Sequence, residues 1–176
     1  TTCNTIGSCM RALLTDRTQW QRLIDDRSLI PNAVEEILRY DGPVLNHRHL
    51  AKFDTVVGGV EIPAGAKVMM CFASADHDPA QFDDPDVFDV GRENAELHLA
   101  FGKGPHFCLG AALGRLEVRI VLELLTEHTP DIALVPDQTF AYSPNALFRG
   151  LQALMVAPQG PAAVPASDGM PEIGAR

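Results

Sequence analysis

The decapeptide FGKGPHFCLG, residues 101–110, constrains this chain more than any other stretch. Gly102, Gly104 and Gly110 bracket Cys108. Glycine permits positive φ and lets backbone approach a bulky partner closely. Directly after it the apolar spacing predicts a helix from about Leu109 to His128, with Leu113, Leu116, Ile120 and Leu124 on one stripe. Ala112, Val121, Leu122 and Leu125 widen that stripe, so the helix is expected to be buried on most sides. Cys108 therefore stands where a helix begins, and free N–H groups and the helix dipole favour a thiolate there. The residues alone leave two readings open: a thiolate that ligates a metal, or a glycine-rich turn around a buried structural cysteine.

The other cysteines, at 3, 9 and 71, form no CxxC pair with it. A chain of 176 residues with 46% hydrophobic and 21% charged residues has an ordinary globular balance, and a disulfide framework is not expected. A reducing cytoplasm is the expected setting. The net charge of −9 argues against nucleic-acid binding through the overall field. No apolar run approaches the ~20 residues that span a bilayer. The chain starts at Thr1 rather than Met, inside what reads as a helix already in progress, so an upstream part is expected.

That first helix runs to Leu14, carrying Ile6, Met10, Leu13 and Leu14 at helical spacing. A second spans Asp16 to Asp26 with the only Trp, Trp20. Pro31 suits the first turn of a third, which runs to about Tyr40. Gly58-Gly59 between Thr55–Val57 and Val60–Ile62 is a hairpin signal, and Lys67–Phe72 reads as a strand. Residues 76–92 have no period, and so long an irregular stretch is expected to be functional or tightly packed. Short strands are expected over 130–157.

Glu36-Ile37-Leu38-Arg39 places an acid and a base on one helix face. Exposed, such a pair contributes a few tenths of a kcal/mol. Buried, it needs a further partner, for which Arg92 is the candidate.

Taken together these features resemble the C-terminal part of a cytochrome P450, most closely the soluble bacterial type. FGKGPHFCLG is similar to the family's haem loop F-G-x-G-x-H-x-C-x-G, Glu36 and Arg39 to its E-x-x-R pair, and Arg92 after Phe88-Asp89 to the third member of that ion network. The resemblance implies a mainly α fold with small β-sheets (α+β). Residues 1–157 would be the C-terminal portion of a haem domain and 158–176 a disordered tail. It implies haem b (iron protoporphyrin IX) with Cys108 as axial thiolate. Phe101, Gly102, Gly104 and Gly110 would shape the loop, and Arg48 and His106 would contact the propionates. His47 and His49 flank Arg48 on the strand's opposite side and stay unassigned.

The implied activity is insertion of one oxygen atom from O2 into a hydrophobic small organic substrate. Thr1 would be the hydroxyl that helps deliver protons. Val44, Leu45, Asn46, Leu147 and Phe148 would line the substrate pocket. Lys103, Arg115 and Arg119 would dock an acidic electron donor, ferredoxin-type or flavoprotein. A truncated, non-catalytic haem-binding relic and a peroxide-driven enzyme are the alternatives. A zinc site of His98, His106 and Cys108 is a further competing reading. Two departures stand out: Gly114 where the family more often has Ala, and Asp76-His77 where Asn-Arg is commoner.

Overall fold

A computed structural model describes residues 1–158; the expected tail, from 159 on, lies outside the described residues. Helix α1, Thr2–Thr15, turns Cys9, Met10, Ala12, Leu13 and Leu14 inward. Asp16 ends it with an extended backbone, and its carboxylate accepts from the Thr18 amide at 3.0 Å, capping α2, Arg17–Asp25. In α2, Trp20 and Leu23 are fully buried, and the Trp20 indole donates to the Pro130 carbonyl at 2.8 Å. Asp26 repeats the cap through the Ser28 amide and opens a short turn into α3, Ile30–Asp41, with Pro31 in the first turn.

Helix α3 is the centre of the molecule. Ile30, Ala33, Val34, Ile37 and Leu38 are buried in one cluster with the apolar faces of α1 and α2. Strand β1, His47–Leu50, pairs antiparallel with β4, Lys67–Met70, with Arg48 opposite Met69. Between them lies the hairpin of β2, Thr55–Val57, and β3, Val60–Ile62. Its two turn residues, Gly58 and Gly59, have φ of 57° and 81°, the left-handed values a two-residue hairpin turn demands. The apolar run expected as a strand to Phe72 stops at Met70, and Phe72–Ala75 form the single helical turn α4.

Residues 76–92 contain no helix or strand. They lie against α3, where Phe82 and Val90 are buried. Helix α5, Ala111–His128, follows the Cys108 loop. A short antiparallel pair, β5 Ala133–Leu134 with β6 Val156–Ala157, closes the described chain. The architecture is a helical body carrying small two-stranded sheets.

A second expectation fails. Helix α5 is not buried on most sides. Its inner face is Ala111, Val118, Leu122 and Thr126. Leu113, Leu116, Ile120 and Leu124 are 43–59% exposed. The apolar stripe is present in the sequence, but among the described residues no element covers it.

Candidate functional site

Glu36 and Arg39 are completely buried. Arg39 Nε and Nη2 donate to Glu36 Oε2 and Oε1 at 2.7 and 2.9 Å, a bidentate fork. The remaining donors go to backbone: Nη1 reaches the carbonyls of Asp76 and Pro85 at 2.8 Å each, and Nη2 that of Val87 at 3.1 Å. Glu36 Oε1 also accepts from Arg92 Nε at 3.2 Å and from the Asp89 amide at 3.0 Å. Arg92 in turn donates to the carbonyls of Asp83, Asp84 and Val87. One buried carboxylate and two guanidinium groups thus organise residues 76–92 without secondary structure. Such a set is stable in a low-dielectric interior only when every donor and lone pair is answered.

The network reaches the cysteine loop through Asp76, whose Oδ1 accepts from the Leu99 amide at 2.6 Å, two residues before Phe101. Burial raises the Asp76 carboxyl above its ordinary value. The loop turns at Gly102 and Gly104, both in the left-handed region with φ of 70° and 78°. The Cys108 amide donates to the Phe101 carbonyl at 2.9 Å, and the Cys108 carbonyl accepts from Ala111, starting α5. Gly110 is different: a Cβ there would meet Cys108 Sγ at 3.9 Å, an ordinary contact, so this chain alone does not require glycine at that position.

Cys108 is exposed, as are Phe107 and Leu109 beside it. Cys9 is the contrasting thiol: burial pushes it up to about 12, which removes it as a ligand or nucleophile at neutral pH. The zinc reading does not survive. His98 Nδ1 accepts from the Ala100 amide at 3.0 Å and Nε2 faces Glu35 at 3.1 Å, so both ring nitrogens are engaged.

The structure places Arg48 and His106 at the surface. It also brings His49 to His106, with ring centroids 6.4 Å apart, and His47 to His49 at 5.4 Å. Alternation along β1 puts Arg48 on the other side of the strand from that histidine pair. Sequence reasoning left His49 unassigned; its signal was the period of two measured from His47.

The five pocket candidates come together through backbone. Val44 bridges Phe148, the Leu45 amide donates to the Leu147 carbonyl at 2.9 Å, and Asn46 Nδ2 donates to the Ala146 carbonyl at 2.8 Å. Behind them Asp41, missed from the sequence, accepts from Arg11 Nη2 at 3.0 Å and Arg149 Nε at 2.7 Å. Arg149 also stacks 3.8 Å from the Tyr142 ring centroid, and its bond to Asp41 ties the 147–149 turn to α3. Thr1 is exposed at the head of α1, where its carbonyl accepts from the Thr5 amide.

The basic cluster differs from its expectation. Arg115 does not offer a free charge: it is bound to Glu35 through both Nε and Nη2. Arg119 pairs with Glu123 one turn along, and Lys103 alone is exposed with no ion pair among the described residues.

Phe107 and Leu109 are exposed on either side of the exposed Cys108, and His106 of the same loop meets His49 of β1. An exposed sulfur can ligate a soft metal, and imidazole and guanidinium N–H groups can donate to carboxylates.

The chain matches the family model for cytochrome P450 over residues 10–128. It is 40% identical over 156 residues to a steroid C26-monooxygenase of Mycolicibacterium smegmatis, covering 89% of this chain and 39% of the relative. It is 44% identical over 158 residues to the cytochrome P450 monooxygenase PikC of Streptomyces venezuelae, covering 89% of this chain and 38% of that one. The Tepidiphilus thermophilus P450 heme domain superposes with a TM-score of 0.84 at 44% identity, over 92% of this chain and 39% of that one. The chain therefore spans about two fifths of the length of the curated relatives it matches.

Proposed function

The chain belongs to the cytochrome P450 family, and from that premise we propose that it forms the proximal, C-terminal part of a haem-thiolate monooxygenase domain over residues 1–157. The observation that carries this reading is the exposed Cys108 on a glycine loop tied by hydrogen bonds to the buried Glu36–Arg39 pair and its partner Arg92. A loop so anchored holds its sulfur at a fixed place while leaving it open to a ligand.

Cysteine-ligated haem, when bound, supplies activation of O2, since thiolate donation is established in this family to favour O–O cleavage. The chain's own part is positioning. Cys108 would hold the haem iron through its sulfur, with Gly102 and Gly104 giving the loop its turns and Gly110 leaving room beside the bound group. Phe101 packs beside the sulfur. His106 and a neighbour on β1 hold the propionates. Arg48 is the family's match for that neighbour, and His49 is the residue whose ring meets His106. Val44, Leu45, Asn46, Leu147 and Phe148 form a mostly apolar pocket wall for a hydrophobic small molecule. One relative is named for a steroid substrate, which is of that class. The Thr1 hydroxyl relays protons at the site. Two electrons come from a ferredoxin-type protein or a flavoprotein, for which Lys103, exposed with no ion pair among the described residues, supplies the docking charge. The setting is cytoplasmic, in keeping with the absence, among the described residues, of a helix long and apolar enough to cross a membrane.

The test is loading with haem, reduction, and exposure to CO, in the longest open reading frame that contains this chain. A thiolate-type ferrous–CO band that disappears in Cys108→Ser supports the reading; haem bound without that band overturns it.

A further inference from the structure

Arg115 faces a task other than docking. Its Nε and Nη2 donate to Glu35 Oε1 and Oε2 at 2.7 and 2.8 Å. Its guanidinium carbon lies 4.6 Å from the centroid of the Phe101 ring, within cation–π range. The same carboxylate faces His98 Nε2 at 3.1 Å, and the His98 ring lies 5.7 Å from Phe101 on another side. Because His98 Nδ1 accepts the Ala100 amide, Nε2 carries the proton toward Glu35. Glu35 thus fixes both groups that flank the phenyl ring. Burial alone would raise its carboxyl, but the hydrogen bonds from His98 and Arg115 and the Arg115 charge outweigh that and hold it at about 2. It is charged at any neutral pH. The ring they flank belongs to the residue whose carbonyl accepts the Cys108 amide at 2.9 Å.

We propose that Glu35 and Arg115 are positioning residues for Phe101, setting where its ring sits beside Cys108 and so how strongly the sulfur donates to a bound haem. The proposal rests on Cys108 being the haem ligand. It gives adjacent residues of α3 separate tasks: Glu36 organises the irregular stretch, and Glu35 the ring next to the cysteine.

The experiment compares the haem midpoint potential in the full-length protein for Arg115→Gln, the double variant Glu35→Gln/Arg115→Gln, and Arg119→Gln. Arg115→Gln removes a cation and leaves Glu35 unopposed, so the oxidised form is favoured. The expected fall in the reduced-to-oxidised ratio at fixed poise is about tenfold, or ~59 mV for a one-electron couple. The double variant restores the net charge but not the stack, so a shift remains. Arg119→Gln changes the net charge equally and leaves the potential in place. A wild-type potential in Arg115→Gln overturns the proposal. So does a double variant restored to the wild-type potential, because that reduces the pair to a charge effect.

A second measurement needs no haem. Amide exchange at Cys108 is expected to quicken in Arg115→Gln and not in Arg119→Gln, and equal rates overturn the proposal. If the wild type shows no thiolate-type CO band, the haem reading fails by itself and the exchange rates still decide the positioning.

Discussion

Every nitrogen and oxygen of the Glu36 and Arg39 side chains is answered inside the chain, whereas Cys108, His106 and Arg48 lie exposed with no side-chain hydrogen bond among the described residues. The two regions are joined by the Asp76–Leu99 bond, yet they satisfy opposite conditions. The first is closed, so its residues pay attention only to one another. The second is open, so its residues hold positions for a partner. Helix α5 shows the same division across its own width: Leu122 is fully buried and Leu124 is 51% exposed. A residue's role in this chain is therefore read from whether the chain completes its contacts.

The sharpest way to break this comparison is Arg39→Ala. It removes the bidentate partner of a buried carboxylate and the side-chain donor of the Asp76 and Pro85 carbonyls, and the expected loss is ~3–5 kcal/mol, seen as a lower urea midpoint. A midpoint equal to wild type would mean the network is not closed. Next comes the pair on α5. Leu122→Ala is expected to cost ~2–5 kcal/mol through cavity formation, and Leu124→Ala to stay within ~0.5 kcal/mol. Equal melting losses for the two would show that the outer face is covered in solution.

A smaller effect comes from acid. The Glu35 carboxyl lies at about 2 in the folded protein against an ordinary 4.5. A depressed folded-state value contributes stability above the unfolded value and loses it as pH falls through the folded one. The ionic part of the stability difference between wild type and Glu35→Gln is therefore constant above about pH 5, narrows below pH 4.5 and is lost as pH falls through about 2. A difference that ignores pH across that range removes the ion-pair account. The mildest test leaves stability alone. Thiol labelling is expected at Cys3, Cys71 and Cys108 but not at buried Cys9, and haem loading should protect Cys108 only. Protection of Cys71 instead would move the open site to β4.

Much of the fold was legible. The sequence marks Asp16 as the start of the second helix, and Asp16 caps it as a side-chain acceptor, whereas Asp26, marked as its end, also caps the short turn that follows. Gly58-Gly59 marked the hairpin turn to the residue, because only glycine tolerates two successive left-handed positions cheaply. The spacing of Glu36 and Arg39 by itself places them on one face of a helix. What the sequence could not show was who answers them. Arg39 takes its remaining acceptors from the carbonyls of Asp76, Pro85 and Val87, and every residue type carries a carbonyl. The choice of Glu35 as partner for Arg115 was equally hidden, since the two are far apart in sequence and surrounded by other charges.

The amino-acid order by itself determined the helices, the hairpin and the glycine loop around Cys108, because those follow from local sterics, capping and the 3.6-residue period. Only the tertiary structure decided which face of α5 is covered, that Arg115 serves Phe101 rather than open solvent, and that His49 rather than Arg48 meets His106. An apolar stripe states that a surface wants cover and a charge states that it wants a partner; which element supplies either is settled by how the helices and strands are stacked.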